Sequence, residues 1–103
     1  MAFRLLYYAT ALAELNRLSL EGSLKDREKA VKKALAHLER DPRHPGLHTH
    51  KLKGELCPHG GDVWQAYAEN KRAGAYRITF CYPPGEANTI HVIDIMMHPR
   101  ERG

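Results

Sequence analysis

No apolar run in this 103-residue chain approaches the roughly 18 residues that a membrane-spanning helix needs. The start, Met1-Ala2-Phe3-Arg4-Leu5-Leu6, lacks the long apolar stretch and small-residue cleavage site of a secretory signal, so none is expected. The two cysteines, Cys57 and Cys81, are too few for a disulfide framework; Cys57 reads as a loop thiol and Cys81 as a packed strand residue. A cytoplasmic protein is the simplest expectation. The sequence has no internal repeat, no low-complexity segment and no Walker-type glycine loop to cradle a phosphate. It also lacks a Cys-x-x-Cys pair and a histidine pair spaced around a glutamate. Cys57 and His59 stand two apart with Cys81 elsewhere, which is not a standard zinc spacing, so neither metal nor cofactor is expected. Neither cysteine has an evident acid–base partner, which argues against a thiol nucleophile.

What is present fits one globular domain over residues 1–103. The chain is 43% apolar and 27% charged, and its size allows one modest core. Sixteen Lys and Arg oppose twelve Asp and Glu, for a formal charge of +4, with seven histidines uncounted. The excess is uneven. Between Arg43 and Lys53 stand Arg43, Lys51, Lys53, His44, His48 and His50, with no acid among them. Such a patch suits a polyanion or acidic partner as well as it suits a solvated face.

Phe3 to Tyr8 reads as a first strand. Ala11, Leu12, Leu15 and Leu18 repeat with helical spacing over residues 10–20. Gly22 and Ser23 break that helix, and Ser23, with Asp26 three residues on, starts a second. Its stripe is Ala30, Val31, Ala34, Leu35 and Leu38, and Asp41-Pro42 ends it, because a residue before proline is pushed out of the helical region. Two helices so closely joined predict an antiparallel hairpin. Strands are then expected over 47–53, closed by Gly54, and over 63–68, 75–82 and 89–97, with a loop at 55–62 and a turn at Pro83-Pro84-Gly85. Tyr76, Ile78, Phe80 and Tyr82 alternate with Arg77, Thr79 and Cys81, which predicts one apolar and one polar face. Residues 89–97 are apolar on both faces apart from His91 and Asp94, as a central strand would be. The fold class is α+β: an N-terminal strand and a helical hairpin on a mostly antiparallel sheet of four or five strands.

A hairpin on one face leaves the other partly free for chemistry. Arg77 belongs to the polar side of its strand, where it would stay solvated, meet an anion, or pair with Glu69 or Asp94. Arginine holds phosphate in a two-pronged way that lysine cannot match. His50 precedes a turn and His98 stands where the last long strand ends. Histidines at such places can move protons at neutral pH, or can be solvent residues at strand ends. Trp64 is expected as core packing, and Tyr67 is a candidate for stacking on a base.

His50-Lys51-Leu52-Lys53-Gly54, Val63-Trp64-Gln65-Ala66-Tyr67, Gly74-Ala75-Tyr76-Arg77-Ile78 and the closing His98-Pro99, taken in order, resemble the RelE/ParE toxin superfamily of type II toxin–antitoxin modules over about residues 3–99. The resemblance implies a RelE-like fold and a cognate antitoxin that masks the basic surface. For many members it implies metal-free cleavage of mRNA on the ribosome; for others, inhibition of DNA gyrase without nuclease activity. On it, Arg77 matches the arginine that holds the scissile phosphate, and His98 the C-terminal acid–base residue. His50 matches a catalytic histidine of one nuclease branch. Gln65 and Tyr67 stand where another branch has two lysines, Gly46 lies near a glutamate position, and Pro99 replaces a frequent aromatic. Lys51 and Lys53 would supply the missing positive charge, and Tyr67 stacking or a hydrogen bond. The resemblance therefore gives a first expectation, a ribosome-dependent mRNA endoribonuclease with Arg77, His98 and His50 as its catalytic set. Behind it stand a gyrase inhibitor and a degenerate, antitoxin-binding member of the superfamily.

Overall fold

The strand expected around residues 75–82 sits at the centre of a five-stranded sheet. A computed structural model describes residues 2–97. The strands are β1 (Arg4–Tyr7), β2 (His50–Leu56), β3 (Asp62–Tyr67), β4 (Tyr76–Cys81) and β5 (Thr89–Met97), and the helices are α1 (Ala9–Leu20) and α2 (Lys25–Arg40). The sheet order is β1-β5-β4-β3-β2. Strands β2 to β5 pair antiparallel in succession, and β1 returns to pair parallel with β5, Leu5 opposite Ile90. This is the α+β architecture the sequence pattern implied, with β5 in the interior of the sheet as its two apolar faces require.

The helical hairpin covers one face. Leu18 of α1 and Val31, Leu35 and Leu38 of α2 pack on Ile78, Phe80, Ile90 and Val92, all buried. Each large side chain so buried contributes about 1.5–3 kcal/mol. Asp26 and Glu28 in the first turn of α2, and His37 and Arg40 in its last, oppose the helix dipole at both ends. The hairpin is also fixed by polar contacts. The Tyr76 hydroxyl donates to Glu14 Oε2 at 2.5 Å and accepts from Arg17 at 2.8 Å, while Arg27 lies over the Tyr76 ring. Burial, then the bond to Glu14, pushes the Tyr76 phenol up to about 12.

Four local expectations are corrected. Ser23 does not cap α2: Gly22–Leu24 form a 3-10 turn and α2 begins at Lys25. The second strand starts at His50 rather than Leu47. Pro45–Leu47 close a 3-10 turn, with Gly46 N–H donating to His44 Nδ1, and His48 leaves that turn in a left-handed conformation at φ 48°. Gly54 does not end the strand. It lies inside β2 at φ 80°, within a stretch where the β2–β3 register shifts, and that backbone is one glycine adopts readily. The supposedly polar face of β4 is buried, with Arg77 only 4% exposed and Cys81 only 1%.

Cys57 does lie in the loop after β2, but it is buried and is not a free thiol. It closes on Cys81 as a disulfide with Cα atoms 6.3 Å apart. Around the pair, Val63 with Leu52 and Ile93 makes a second, smaller apolar cluster on the sheet face away from the helices. Among the described residues, no helix is long and apolar enough to cross a membrane.

Candidate active site on the open sheet face

Register assembles the site. Tyr67 of β3 is directly opposite Arg77 of β4, which is opposite Met96 of β5. One rung along, His50 of β2 faces Gln65, then Thr79, then Asp94. Partners in a ladder share a face, so His50, Gln65, Tyr67 and Arg77 all lie on the side opposite the helices. Alternation puts Trp64 and Ala66 on the helix side, where both join the core as the sequence suggested for Trp64.

Arg77 is held by backbone and ring rather than solvated. Its Nη1 donates to the Glu69 carbonyl at 2.7 Å and to the Tyr76 carbonyl at 3.3 Å. Its guanidinium carbon lies 3.7 Å from the centroid of the Tyr67 ring, a close cation–π stack. The expected surface pair with Glu69 takes a different form. The Glu69 carboxylate accepts from Arg72 at 2.8 Å and from the Tyr76 N–H at 3.1 Å, and stands 3.7 Å from Arg27, so it meets Arg77 through its main chain instead. A guanidinium placed this way has a fixed plane, which a flexible lysine would lack.

Two imidazoles gather on the same tyrosine. The His50 ring meets Tyr67 edge-on at 5.9 Å, and the His48 ring is tilted against it at 5.1 Å. His50 is exposed, and its Nδ1 lies 2.9 Å from the His48 carbonyl oxygen. That oxygen can only accept, so Nδ1 carries the proton and Nε2 of the neutral ring is left as an acceptor, the form a general base needs. His48 was noted in the sequence only as part of a basic stretch. Its left-handed backbone turns the ring toward Tyr67, with Nε2 3.3 Å from Asn70 Nδ2. A non-glycine residue held at positive φ among ring contacts marks a functional candidate. The available signal was the His48-x-His50 alternation one residue after Pro45-Gly46.

His48 also borders a cavity of about 460 Å³ lined by Arg43, His44, Trp64 and Tyr82. Cations and ring faces together are what a stacked nucleobase and its phosphate require. The structure brings His50, Tyr67 and Arg77 into one group. Lys51 is placed apart from them: its partner across the ladder is Trp64, and its ammonium stands 3.9 Å from Asp62. Lys53 lines the same groove as Lys51, together with Leu52, Gly54 and Asp62. His98 lies outside the described residues.

A mixed five-stranded sheet covered on one face by a helical hairpin is a RelE-like fold. One solved structure with this fold is the YoeB dimer from Staphylococcus aureus, a RelE-superfamily toxin, which superposes with a TM-score of 0.68 at 13% identity over 95% of this chain and 99% of that one. No protein-family model and no curated protein sequence matches the chain.

Proposed function

We propose that the protein is the toxin of a type II toxin–antitoxin pair and acts as a ribosome-dependent mRNA endoribonuclease. The observation that carries this reading is the group on the open face of a RelE-like fold: Arg77 stacked on Tyr67, with His50 and His48 against the same ring. Cleavage of RNA by its own 2'-hydroxyl needs a base for that hydroxyl, charge stabilisation at phosphorus and a proton for the leaving 5'-oxygen. His50, with Nε2 as acceptor, would serve as the first. Arg77 suits the second, and His98 is the candidate for the third. The 2'-oxygen attacks the adjacent phosphorus, the P–O5' bond breaks, and a 2',3'-cyclic phosphate and a 5'-hydroxyl result. No redox change and no metal enters this balance. Lys51 and Lys53, on the β2 groove, would contact RNA backbone away from the reacting phosphate. Tyr67 would both orient Arg77 and stack on a base.

The partners that follow are a cognate antitoxin covering the basic face and mRNA on the translating ribosome; the cytoplasm is then where the protein works. Primer extension on an mRNA, with and without translating ribosomes, tests the reading. Cuts that need ribosomes and disappear in Arg77→Ala are expected. If a folded protein arrests growth yet cuts neither translated nor naked RNA, the nuclease assignment fails, and a loss of supercoiling by purified gyrase would identify the alternative target.

A further inference from the structure

The far end of the open face carries a second group that the proposed cleavage does not use. Cys57 opens the β2–β3 loop, His59 stands at its tip, and Cys81 ends β4. The sequence separates the cysteines by 24 positions, but the fold brings both Sγ atoms and a ring nitrogen of His59 within 4.8 Å of one another. The two sulfurs are buried and the imidazole is exposed, so the group is open on one side only. Gly61 leaves room for the His59 ring, since a Cβ there would come within 2.8 Å of His59 Cε1. His91 is the ladder partner of Cys81 and so shares its face. Its Nδ1 is buried without a hydrogen-bond partner among the described residues. His91 and His59 line one cavity of about 430 Å³ with Tyr8 and Glu86.

We propose that the reduced protein binds one zinc-class cation through Cys57 Sγ, Cys81 Sγ and a ring nitrogen of His59, with His91 beside the fourth position. Two thiolates and imidazole are the donor set that a borderline-soft d10 cation prefers. Donors around a tetrahedral zinc stand about 3.5 Å from one another at ordinary bond lengths, so the three groups need only small movements. Disulfide and metal exclude each other, because the disulfide sulfurs hold no thiolate charge. A dithiol reductant breaks the Sγ–Sγ bond, delivers two electrons and two protons, and leaves as its own disulfide. The cation then displaces the two thiol protons to solvent. As a thiol, Cys57 already has an acceptor, the Asp62 carbonyl oxygen at 3.1 Å. A compartment that keeps thiols reduced would hold the protein in the metal-binding form. The loop is tied to β4 in either state, by a covalent bond or by the ion.

The test uses the full chain, reduced with a phosphine (which leaves as its oxide, with oxygen from water) and titrated anaerobically with cobalt(II) as the spectroscopic stand-in. The expected result is one cobalt per chain, with a thiolate-to-metal charge-transfer band and the visible bands of a tetrahedral site, both abolished by one equivalent of zinc. The oxidised protein should show neither. His59→Ala, on an exposed turn that the core does not depend on, should weaken binding at least about tenfold, and His91→Ala by about tenfold. Cys57→Ser should remove most of the charge-transfer intensity; should that variant not fold, the His59 variant decides. Absence of the band in reduced protein at micromolar cobalt would overturn the proposal, as would equal binding by wild type, His59→Ala and the oxidised form.

Discussion

The guanidinium carbon of Arg77 lies over the ring of Tyr67, 3.7 Å from its centroid, because the two residues are direct neighbours across the β3–β4 ladder. The ring limits the guanidinium to one plane, and the Glu69 and Tyr76 carbonyls fix its rotation within that plane. Removing the ring should therefore misplace the charge without removing it. Tyr67→Phe keeps the aromatic face and should retain most cleavage. Tyr67→Ala should lose about tenfold or more, with a stability loss of about 1–2 kcal/mol from the stack. Arg77→Ala should lose about 10²–10³ in cleavage rate, the usual scale for a group that stabilises transition-state charge. Growth arrest on expression and ribosome-dependent primer extension, with circular dichroism to verify folding, check the series.

His50 and His48 should separate by role. His50 offers an accepting Nε2, so His50→Gln should lower the cleavage rate by about 10²-fold or more, the scale of a general base. His48 contacts Tyr67 and Asn70 and, on the proposed reading, would serve to position them. His48→Asn, which tolerates the left-handed backbone, should cost less. If His48→Asn costs more cleavage than His50→Gln, the two assignments are reversed.

Tyr76 makes a prediction at alkaline pH. Its phenol titrates near 10 when unfolded and at about 12 when folded, raised by burial and then by the bond to Glu14. A group with a raised folded pKa contributes its stability fully below the unfolded value and loses it as pH climbs through the folded one. Stability should therefore fall between about pH 10 and pH 12. Tyr76→Phe should be less stable at neutral pH by about 1 kcal/mol or more, from the lost hydrogen bonds, and should show a shallower alkaline fall. Tyr7 and Tyr82, also raised by burial, leave part of that fall in place. Urea midpoints across the window measure the difference between the two proteins.

Glu14 predicts the opposite limb. The hydrogen bond from Arg17, opposed by some burial and aided by Tyr76, holds its carboxyl below the usual range. Its contribution is present above the unfolded value near 4.5 and is lost as pH falls through the lower folded one. Glu14→Gln should flatten the acid limb of the stability curve below about pH 4.5, read by the same midpoints.

Phe80 tests the core. Its side chain is fully buried between the helices and the sheet, so Phe80→Ala should cost about 3–5 kcal/mol. A loss below about 1 kcal/mol in a denaturant titration would mean that the hairpin does not pack as described.

Periodicity carried the sequence reading wherever one effect dominates. The alternation through Tyr76, Ile78 and Phe80, the stripe Val31, Ala34, Leu35, Leu38, and the doubly apolar run at 89–97 all became the elements they implied. The start of β2 was not legible, because a side chain decides it: His44 accepts from Gly46 N–H, builds a 3-10 turn and moves the strand three residues on. The burial of Arg77 was hidden for another reason. Alternation sorts arginine to a polar face, and nothing local in the sequence signals that a ring two strand residues beyond Gln65 and two carbonyls will replace its water. Cys57, His59 and Cys81 were set aside for want of a zinc spacing, since strand order, not chain order, brings Cys81 to the other two.

The parallel pairing of β1 with β5 joins Arg4 to Thr89 across nearly the whole chain. Contacts so distant in sequence raise contact order, and the loop must close before they give any return. A nascent chain can form the helical hairpin early, but its apolar stripe has no complete sheet to rest on until residues 89–97 have left the ribosome. Those same residues lay Met96 beside Arg77 and Asp94 beside Thr79. The face that bears the candidate site is thus among the last surfaces to be completed during synthesis, and a polypeptide halted before β5 would lack both its fold and that site.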